Sequence, residues 1–177
     1  MSAIIKNLNK NLFNNNIKLL PIIFLVLFSR FIPHPPNFTP IIAVAILSPL
    51  FFNKNNVALT LVIVGMFISD FFIGFYQNMI TTYLAIILVY YFSKFYFNEK
   101  TIGIKNIIFG SIFSALIFYV LTNFAVWVFG DLYPKNFEGL IMCYVMAIPF
   151  FTNTLISTFL FTSVAYTSSI YIIKKTA

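Results

Sequence analysis

Charged side chains are scarce in this sequence. Asp, Glu, Lys and Arg make up 8% of its 177 residues, whereas apolar residues of the AVILMFWYC set make up 60%. Soluble domains carry roughly 25% charged residues, and 11 cations with 4 acids would not cover the surface of a soluble fold of this size. A disordered chain is excluded for the opposite reason, because too much apolar surface would remain in water. The composition therefore predicts a polytopic membrane protein.

The chain also has one cysteine, Cys143, and one histidine, His34. One cysteine excludes an intramolecular disulfide and a Cys-x-x-Cys metal site, and one histidine excludes a two-histidine zinc site. The sequence has no glycine-rich phosphate loop, and no second acid accompanies Asp70 within an apolar run. We therefore expect neither an enzyme nor a resident metal or cofactor.

Apolar runs between polar turns predict an all-α integral membrane protein of six transmembrane helices. These helices form one domain over residues 19–177, preceded by a cytoplasmic tail over 1–18. The predicted spans are 19–32, 41–52, 57–76, 79–97, 107–129 and 150–173, with a short helix over 140–148 before Pro149. The second span reaches only about 18 Å against a hydrocarbon core of roughly 30 Å. We therefore expect residues 33–40, which are rich in proline, to dip into the protein.

The positive charge indicates topology. A net charge of +7 would suggest nucleic acid in a soluble protein, but in a membrane chain Lys and Arg collect on the cytoplasmic side. With the N-terminus inside, only Arg30 and Lys135 fall outside, and nine lysines fall on the cytoplasmic side: Lys6, Lys10, Lys18, Lys54, Lys94, Lys100, Lys105, Lys174 and Lys175. This pattern predicts that both termini are cytoplasmic and that nucleic acid is not a partner.

Two ionisable residues in apolar surroundings are candidates for a site. Asp70 is the only acid inside an apolar run, and Arg30, the only arginine, ends the first predicted span. An ionisable side chain within a span is costly and therefore marks a functional candidate. The two residues are expected to form an ion pair, and a structural clamp between two helices is as good an explanation as a role in ligand binding.

Other polar and aromatic residues have ordinary explanations beside functional ones. Asn123 and Asn153 lie within predicted spans, where asparagine most commonly joins helices by hydrogen bonds. Trp127 falls at the outer boundary, where an aromatic belt is expected. His34 is flanked by prolines, and a lone histidine is more often a satisfied hydrogen-bonding residue than a metal ligand.

Three stretches carry a resemblance to a known family. The run RFIPHPPNFTP, residues 30–40, resembles the signature of a family of small, uncharacterised bacterial inner-membrane proteins. ISDFFIG, residues 68–74, and LTNFAVW, residues 121–127, also resemble that family. The family is in turn similar to the substrate-binding S components of energy-coupling-factor transporters.

The resemblance implies an S-component-like bundle in the bacterial inner membrane. It implies a ligand cavity at the outer side, closed by residues 33–40 and by outer loops, and a coupling subunit with two ATPases as a partner. S components often carry Ala-xxx-Ala in the first helix for docking on that subunit. Residues 19–32 contain no alanine, so action alone or with another partner stays open.

Taken together, these observations predict capture and uptake of a small, vitamin-like solute at an outward-facing pocket. Arg30 would hold a ligand carboxylate or phosphate with two parallel hydrogen bonds. Asp70 would orient Arg30 or accept a hydrogen bond from the ligand. Because the sequence encodes no ATPase, the energy must come from a partner or a gradient.

The remaining pocket residues have simpler roles. Asn37 and Asn123 would supply neutral hydrogen bonds, Trp127 an apolar wall, and His34 would lie over the pocket mouth. One rival interpretation is a non-transport scaffold in which the acid and the arginine only clamp helices. The other is a membrane enzyme, which would need a second acid or a cofactor that the sequence does not show.

Overall fold

The computed structural model describes residues 28–51, 57–97 and 104–176. Within these ranges every regular element is helical, and no strand occurs. Residues 28–31 are helical and lead into the proline-rich loop. The helices that follow are α1 (Ile41–Phe51), α2 (Val57–Ile73), α3 (Met79–Tyr96), α4 (Ile104–Phe129), α5 (Phe137–Met146) and α6 (Ile148–Thr176).

Within the described ranges, three segments are long and apolar enough to cross a membrane. They are Met79–Tyr96 in α3, Ile104–Phe129 in α4 and Ile148–Thr167 in α6. Large apolar side chains point away from the protein on these helices, as at Phe95, which is 83% exposed, and Ile80, which is 72% exposed. Exposed apolar surface of this extent suits lipid rather than water. The helices therefore indicate a membrane protein.

The other predicted spans do not correspond to candidate crossings. Residues 41–52 and 57–76 correspond to α1 and α2, which are 11 and 17 residues long and are not among the three candidate spans. Most of the predicted span 19–32 and the tail 1–18 lie outside the described residues. The described part of the chain thus confirms the all-α class, and its three candidate crossings overlap the predicted spans 79–97, 107–129 and 150–173.

Several predicted helix ends are wrong, for local reasons. α2 ends at Ile73 rather than at residue 76, because Gly74 adopts a φ of +112°, which a helix cannot continue. α6 begins at Ile148 rather than 150, since Pro149 lies in the first turn, where its missing N–H has no intrahelical partner to lose. α5 begins at Phe137 rather than 140 because the Asn136 carboxamide oxygen caps it.

α1 is the central helix of the bundle. It packs against α2, α3, α4 and α6, and Ile42, Ala45 and Ile46 are buried along it. Such a helix needs no lipid-facing surface, so its length is not set by the bilayer. Ile41 and Ile42, in its first turn, line the cavity, so the candidate site lies at the N-terminal end of α1.

α3 and α4 approach each other closely at small residues. A side chain at Gly110 would come within 2.5 Å of the Phe97 ring, and the neighbouring Ser111, Ser114 and Ala115 are fully buried. Small residues let helix backbones approach closely in membranes. The small-residue spacing in α4 therefore forms a packing surface, which explains these serines without a ligand.

Candidate functional site

A buried ion pair joins three segments of the chain. The Arg30 guanidinium, just before the proline-rich loop, contacts Asp70 Oδ1 in the last turn of α2. The Tyr83 hydroxyl of α3 donates a hydrogen bond to Asp70 Oδ2 at 2.5 Å. The Asp70 side chain is 0% exposed and that of Arg30 is 14% exposed. A buried carboxylate is tolerated only when it is paired, and here a cation and a hydroxyl satisfy it.

The arrangement leaves hydrogen-bonding capacity on Arg30. Its Nη1 atom is buried and has no hydrogen-bond partner. Arg30 also lines the cavity beside the ion pair. Buried donors without partners are uncommon in folded proteins and require an explanation. The guanidinium therefore has one nitrogen engaged by Asp70 and one available at the edge of the cavity.

The cavity has a volume of about 590 Å³, within the range typical of small-molecule sites. Four of the six residues predicted to bind a ligand line it: Arg30, His34, Asn37 and Asn123. They come from the helical end at 28–31, the proline-rich loop and α4. Its apolar lining includes Met66, Ile86, Phe118, Val126, Met146 and Phe150. Polar groups from distant parts of the sequence thus converge on one mainly apolar hollow.

The other two predicted residues do not line the cavity. Asp70 lies behind Arg30, which it positions. The Trp127 indole N–H donates instead to the Pro134 carbonyl at 2.9 Å, so this ring braces the loop after α4. Tyr133 of that loop lines the cavity in its place. The tryptophan therefore supports the wall without forming it.

The proline-rich loop is held against α6. Asn153 Nδ2 donates to the Pro36 carbonyl at 3.1 Å, and the Ser157 hydroxyl donates to the Asn37 carbonyl at 3.4 Å. Asn37 has a φ of 63°, a left-handed conformation that asparagine adopts more readily than most residues. These contacts attach the loop to α6. The side chains of residues 33 and 35–37 are nevertheless exposed, so the expected dip of residues 33–40 into the protein is not found there. Asn153 joins α6 to this loop and not to another helix.

Besides the two tyrosines of the lining, Tyr76 and Tyr133, four polar lining residues were not predicted to bind a ligand: Thr39, Asn78, Thr82 and Thr122. Thr82 and Thr122 lie inside apolar helices, where a threonine hydroxyl normally bonds the preceding turn and indicates no site. Both do so here. Asn78 precedes α3 without capping it, and its Oδ1 is buried with no partner. Of these four, only Asn78 could have been predicted from the sequence, because it lies next to Gln77 in the polar turn between two spans.

Cys143 lines the cavity as a protonated thiol. It is buried, and its Sγ contacts the Asn123 carbonyl at 3.4 Å. Burial raises the pKa of this thiol, and the positive charge of Lys135 opposes the change only in part. Metal binding requires the thiolate. Across residues 28–51, 57–97 and 104–176, no cluster of three His, Cys, Asp or Glu side chains could hold a metal ion.

Lys135 caps the C-terminal end of α4 near the cavity. Its ammonium group donates to the carbonyls of Trp127 and Gly130. A cation at a helix C-terminus satisfies free carbonyls and interacts favourably with the helix dipole. Gln77 Nε2 binds the neighbouring Phe129 carbonyl at 2.7 Å. The cavity walls at 74–78 and 130–136 are therefore tied to the end of α4.

Comparisons with known proteins place the chain in a family. Residues 10–177 match the model of a family described as a family of unknown function, DUF6580. No curated protein and no solved structure matches the chain. The family match extends over nearly the whole sequence, including the proline-rich loop, Asp70 and Asn123. The chain therefore belongs to DUF6580, a family of unknown function.

Proposed function

We propose that this protein binds a small, vitamin-like solute at an outward-facing pocket and takes part in its uptake across the bacterial inner membrane. One observation carries the proposal: Arg30, His34, Asn37 and Asn123, from separate segments, line one cavity of about 590 Å³. Polar groups that converge in a mainly apolar hollow are typical of small-molecule sites. The protein itself would be a binding component and not an enzyme.

The proposed topology has six spans with both termini in the cytoplasm. Three candidate crossings support a multi-pass arrangement, and the nine lysines assigned to the cytoplasmic side support the orientation. In this orientation the proline-rich loop and residues 130–136 lie on the outer side, where both contribute to the cavity. The pocket would then open away from the cytoplasm, as uptake requires.

The S-component resemblance gives the proposal its transport mechanism. A binding component of that kind would hand its solute inward with the help of a coupling subunit and ATPases. The absence of Ala-xxx-Ala from residues 19–32 leaves action alone or with a different partner as the alternative. The lipid bilayer is the other partner, because α3, α4 and α6 expose large apolar side chains.

The second candidate function is a membrane scaffold, and the ion pair favours it. Asp70 is fully buried and is held by both Arg30 and Tyr83. This arrangement would clamp three segments even if nothing entered the cavity. The scaffold and the solute-binding protein therefore differ in whether the cavity is occupied and not in the geometry of the clamp.

Native mass spectrometry of the purified protein tests whether the cavity holds a small molecule. Thr122→Trp would fill the cavity, whereas Thr152→Trp would place the same ring on an exposed part of α6. Both threonine hydroxyls bond the carbonyl four residues earlier, at 2.8 Å and 3.0 Å, so the two variants are matched. We expect wild type and Thr152→Trp to carry a bound small molecule that Thr122→Trp lacks.

The opposite result favours the scaffold. If wild type carries no molecule, or if Thr122→Trp retains the same molecule, the cavity is not its binding site. Size-exclusion profiles of the two variants control for misfolding, because only a monodisperse Thr122→Trp sample gives an interpretable loss. A folded variant without the molecule supports solute binding.

A further inference from the structure

Several hydrogen-bond donors in the cavity lining are already used within the protein. Thr82 Oγ1 donates to the Asn78 carbonyl at 3.2 Å, and Thr122 Oγ1 donates to the Phe118 carbonyl at 2.8 Å. Asn123 Nδ2 donates to the Tyr119 carbonyl at 2.8 Å. A backbone carbonyl only accepts hydrogen bonds, so these three contacts fix which atom is the donor.

His34 follows the same pattern. Its Nδ1 lies 2.8 Å from the Pro35 carbonyl, which only accepts hydrogen bonds, so Nδ1 is the donor, and in this tautomer Nε2 is the acceptor. Four lining side chains from the loop, α3 and α4 have therefore each committed a donor to the backbone. These four side chains keep four acceptor atoms for a bound molecule, namely two hydroxyl oxygens, one carboxamide oxygen and one ring nitrogen, and Asn123 also keeps its second N–H.

The lining carries no net charge. Arg30 is the only charged side chain among the lining residues, and the buried Asp70 carboxylate neutralises it. An anion at Arg30 would also approach that carboxylate, and a cation would find no acid in the lining. A charged solute would thus be removed from water without a free counter-ion, which is unfavourable.

We propose, on the basis of the proposed function, that the solute is uncharged and presents several N–H or O–H donors on an aromatic or apolar body. The donors would meet the acceptors of Thr82, Thr122 and Asn123, and the body would pack against Phe118 and Phe150. This class of solute replaces the anionic ligand expected from Arg30 alone. A single acceptor group on the solute would suffice for the Arg30 Nη1 that lacks a partner.

Three small probe molecules distinguish the effect of hydrogen-bond donors on binding from the effect of charge. Para-hydroxybenzamide is uncharged and has O–H and N–H donors, para-hydroxybenzoate is an anion, and para-methoxy-N,N-dimethylbenzamide is uncharged without donors. Calorimetric titration of the full chain in lipid nanodiscs at neutral pH gives a dissociation constant for each. We expect para-hydroxybenzamide to bind about tenfold more tightly than the amide without donors, because acceptors left unpaired on binding weaken a complex by about this factor. We expect a similar advantage over para-hydroxybenzoate, because the anion finds no free counter-ion in the cavity.

A matched pair of variants links the preference to the cavity. Thr122→Val is isosteric and removes one lining acceptor, and Thr152→Val removes an equivalent hydroxyl outside the lining. We expect the preference for para-hydroxybenzamide over the methylated amide to fall several-fold in Thr122→Val and to stay unchanged in Thr152→Val.

Three outcomes would overturn the inference: tightest binding of para-hydroxybenzoate, equal binding of the two amides, or no binding of any probe. An equal fall in both threonine variants would also overturn it, because the preference would then not arise at Thr122. None of these results decides the proposed function, which depends separately on the molecule that native mass spectrometry detects. A bound anion in that experiment would preserve solute uptake and reject the uncharged class.

Discussion

Asp70→Asn will lower the free energy of unfolding by about 3 kcal/mol or more, because removal of one partner from a buried ion pair leaves the other charge uncompensated. Asparagine keeps the shape of the side chain and can still accept the Tyr83 hydroxyl. It cannot neutralise Arg30, whose side chain is only 14% exposed. Chemical unfolding of the purified protein in detergent measures the loss.

A second substitution shows whether Asp70→Asn lowers stability because Arg30 keeps an unpaired charge or because a contact is lost. In Arg30→Met/Asp70→Asn no uncompensated charge remains, so we expect most of the lost stability to return. Asp131→Asn is the control, since Asp131 is exposed in the loop after α4 and such changes usually alter stability by less than about 0.5 kcal/mol. Equal, small effects of Asp70→Asn and Asp131→Asn would contradict the buried ion pair.

Gly139→Ala will destabilise the loop between α4 and α5 by about 1–3 kcal/mol, the usual range for overpacking. A methyl group at this position would lie 2.0 Å from the Pro134 carbonyl oxygen and 2.8 Å from its carbon. Both atoms belong to the backbone, so no side-chain rotation relieves the clash. The loop must move as a unit, together with Tyr133 in the cavity wall.

The intrinsic fluorescence of the protein reports this movement directly. Trp127, the only tryptophan, donates to the same Pro134 carbonyl. We expect Gly139→Ala to shift its emission and to lower the midpoint of thermal unfolding. Met142→Ala changes an exposed side chain of α5 and should alter neither. An unchanged emission spectrum in Gly139→Ala would mean that the loop does not pack as described.

Electrostatics made part of the site predictable. Arg30 and Asp70 stood out because charges in apolar runs are costly, and the structure contains their ion pair. Tyr83 did not stand out, since tyrosines are common near the ends of membrane helices. Its contact with Asp70 depends on how α2 and α3 pack, which spacing along the chain does not encode. The same argument applies to Trp127, whose partner, the Pro134 carbonyl, spacing along the chain does not indicate.

Helix ends were predictable only where the chain signals them locally. The polar turn at 77–78 correctly separated two helices, whereas the span expected to reach 76 ends at Ile73 before Gly74. The sequence predicts a break at Pro149, whereas α6 begins one residue earlier, at Ile148, because proline suits the first turn of a helix. The shape of the cavity could not be predicted, because its walls combine all six helices, α1 to α6, with the loops between them. Hydropathy gives the number of apolar runs and not their arrangement.

The central claim is that the polar cavity opens to the outside of the cell, and labelling in intact cells tests it most directly. Replacement of Cys143 by serine leaves no other cysteine, and Asn37→Cys or Lys105→Cys then adds one at an exposed position. Asn37 lines the cavity, and Lys105 lies in the first turn of α4, on the proposed cytoplasmic side.

A membrane-impermeant maleimide should label Asn37→Cys in intact cells and Lys105→Cys only after the membrane is permeabilised. Labelling of Lys105→Cys in intact cells with protection of Asn37→Cys would place the cavity toward the cytoplasm. That result would contradict outward capture of a solute.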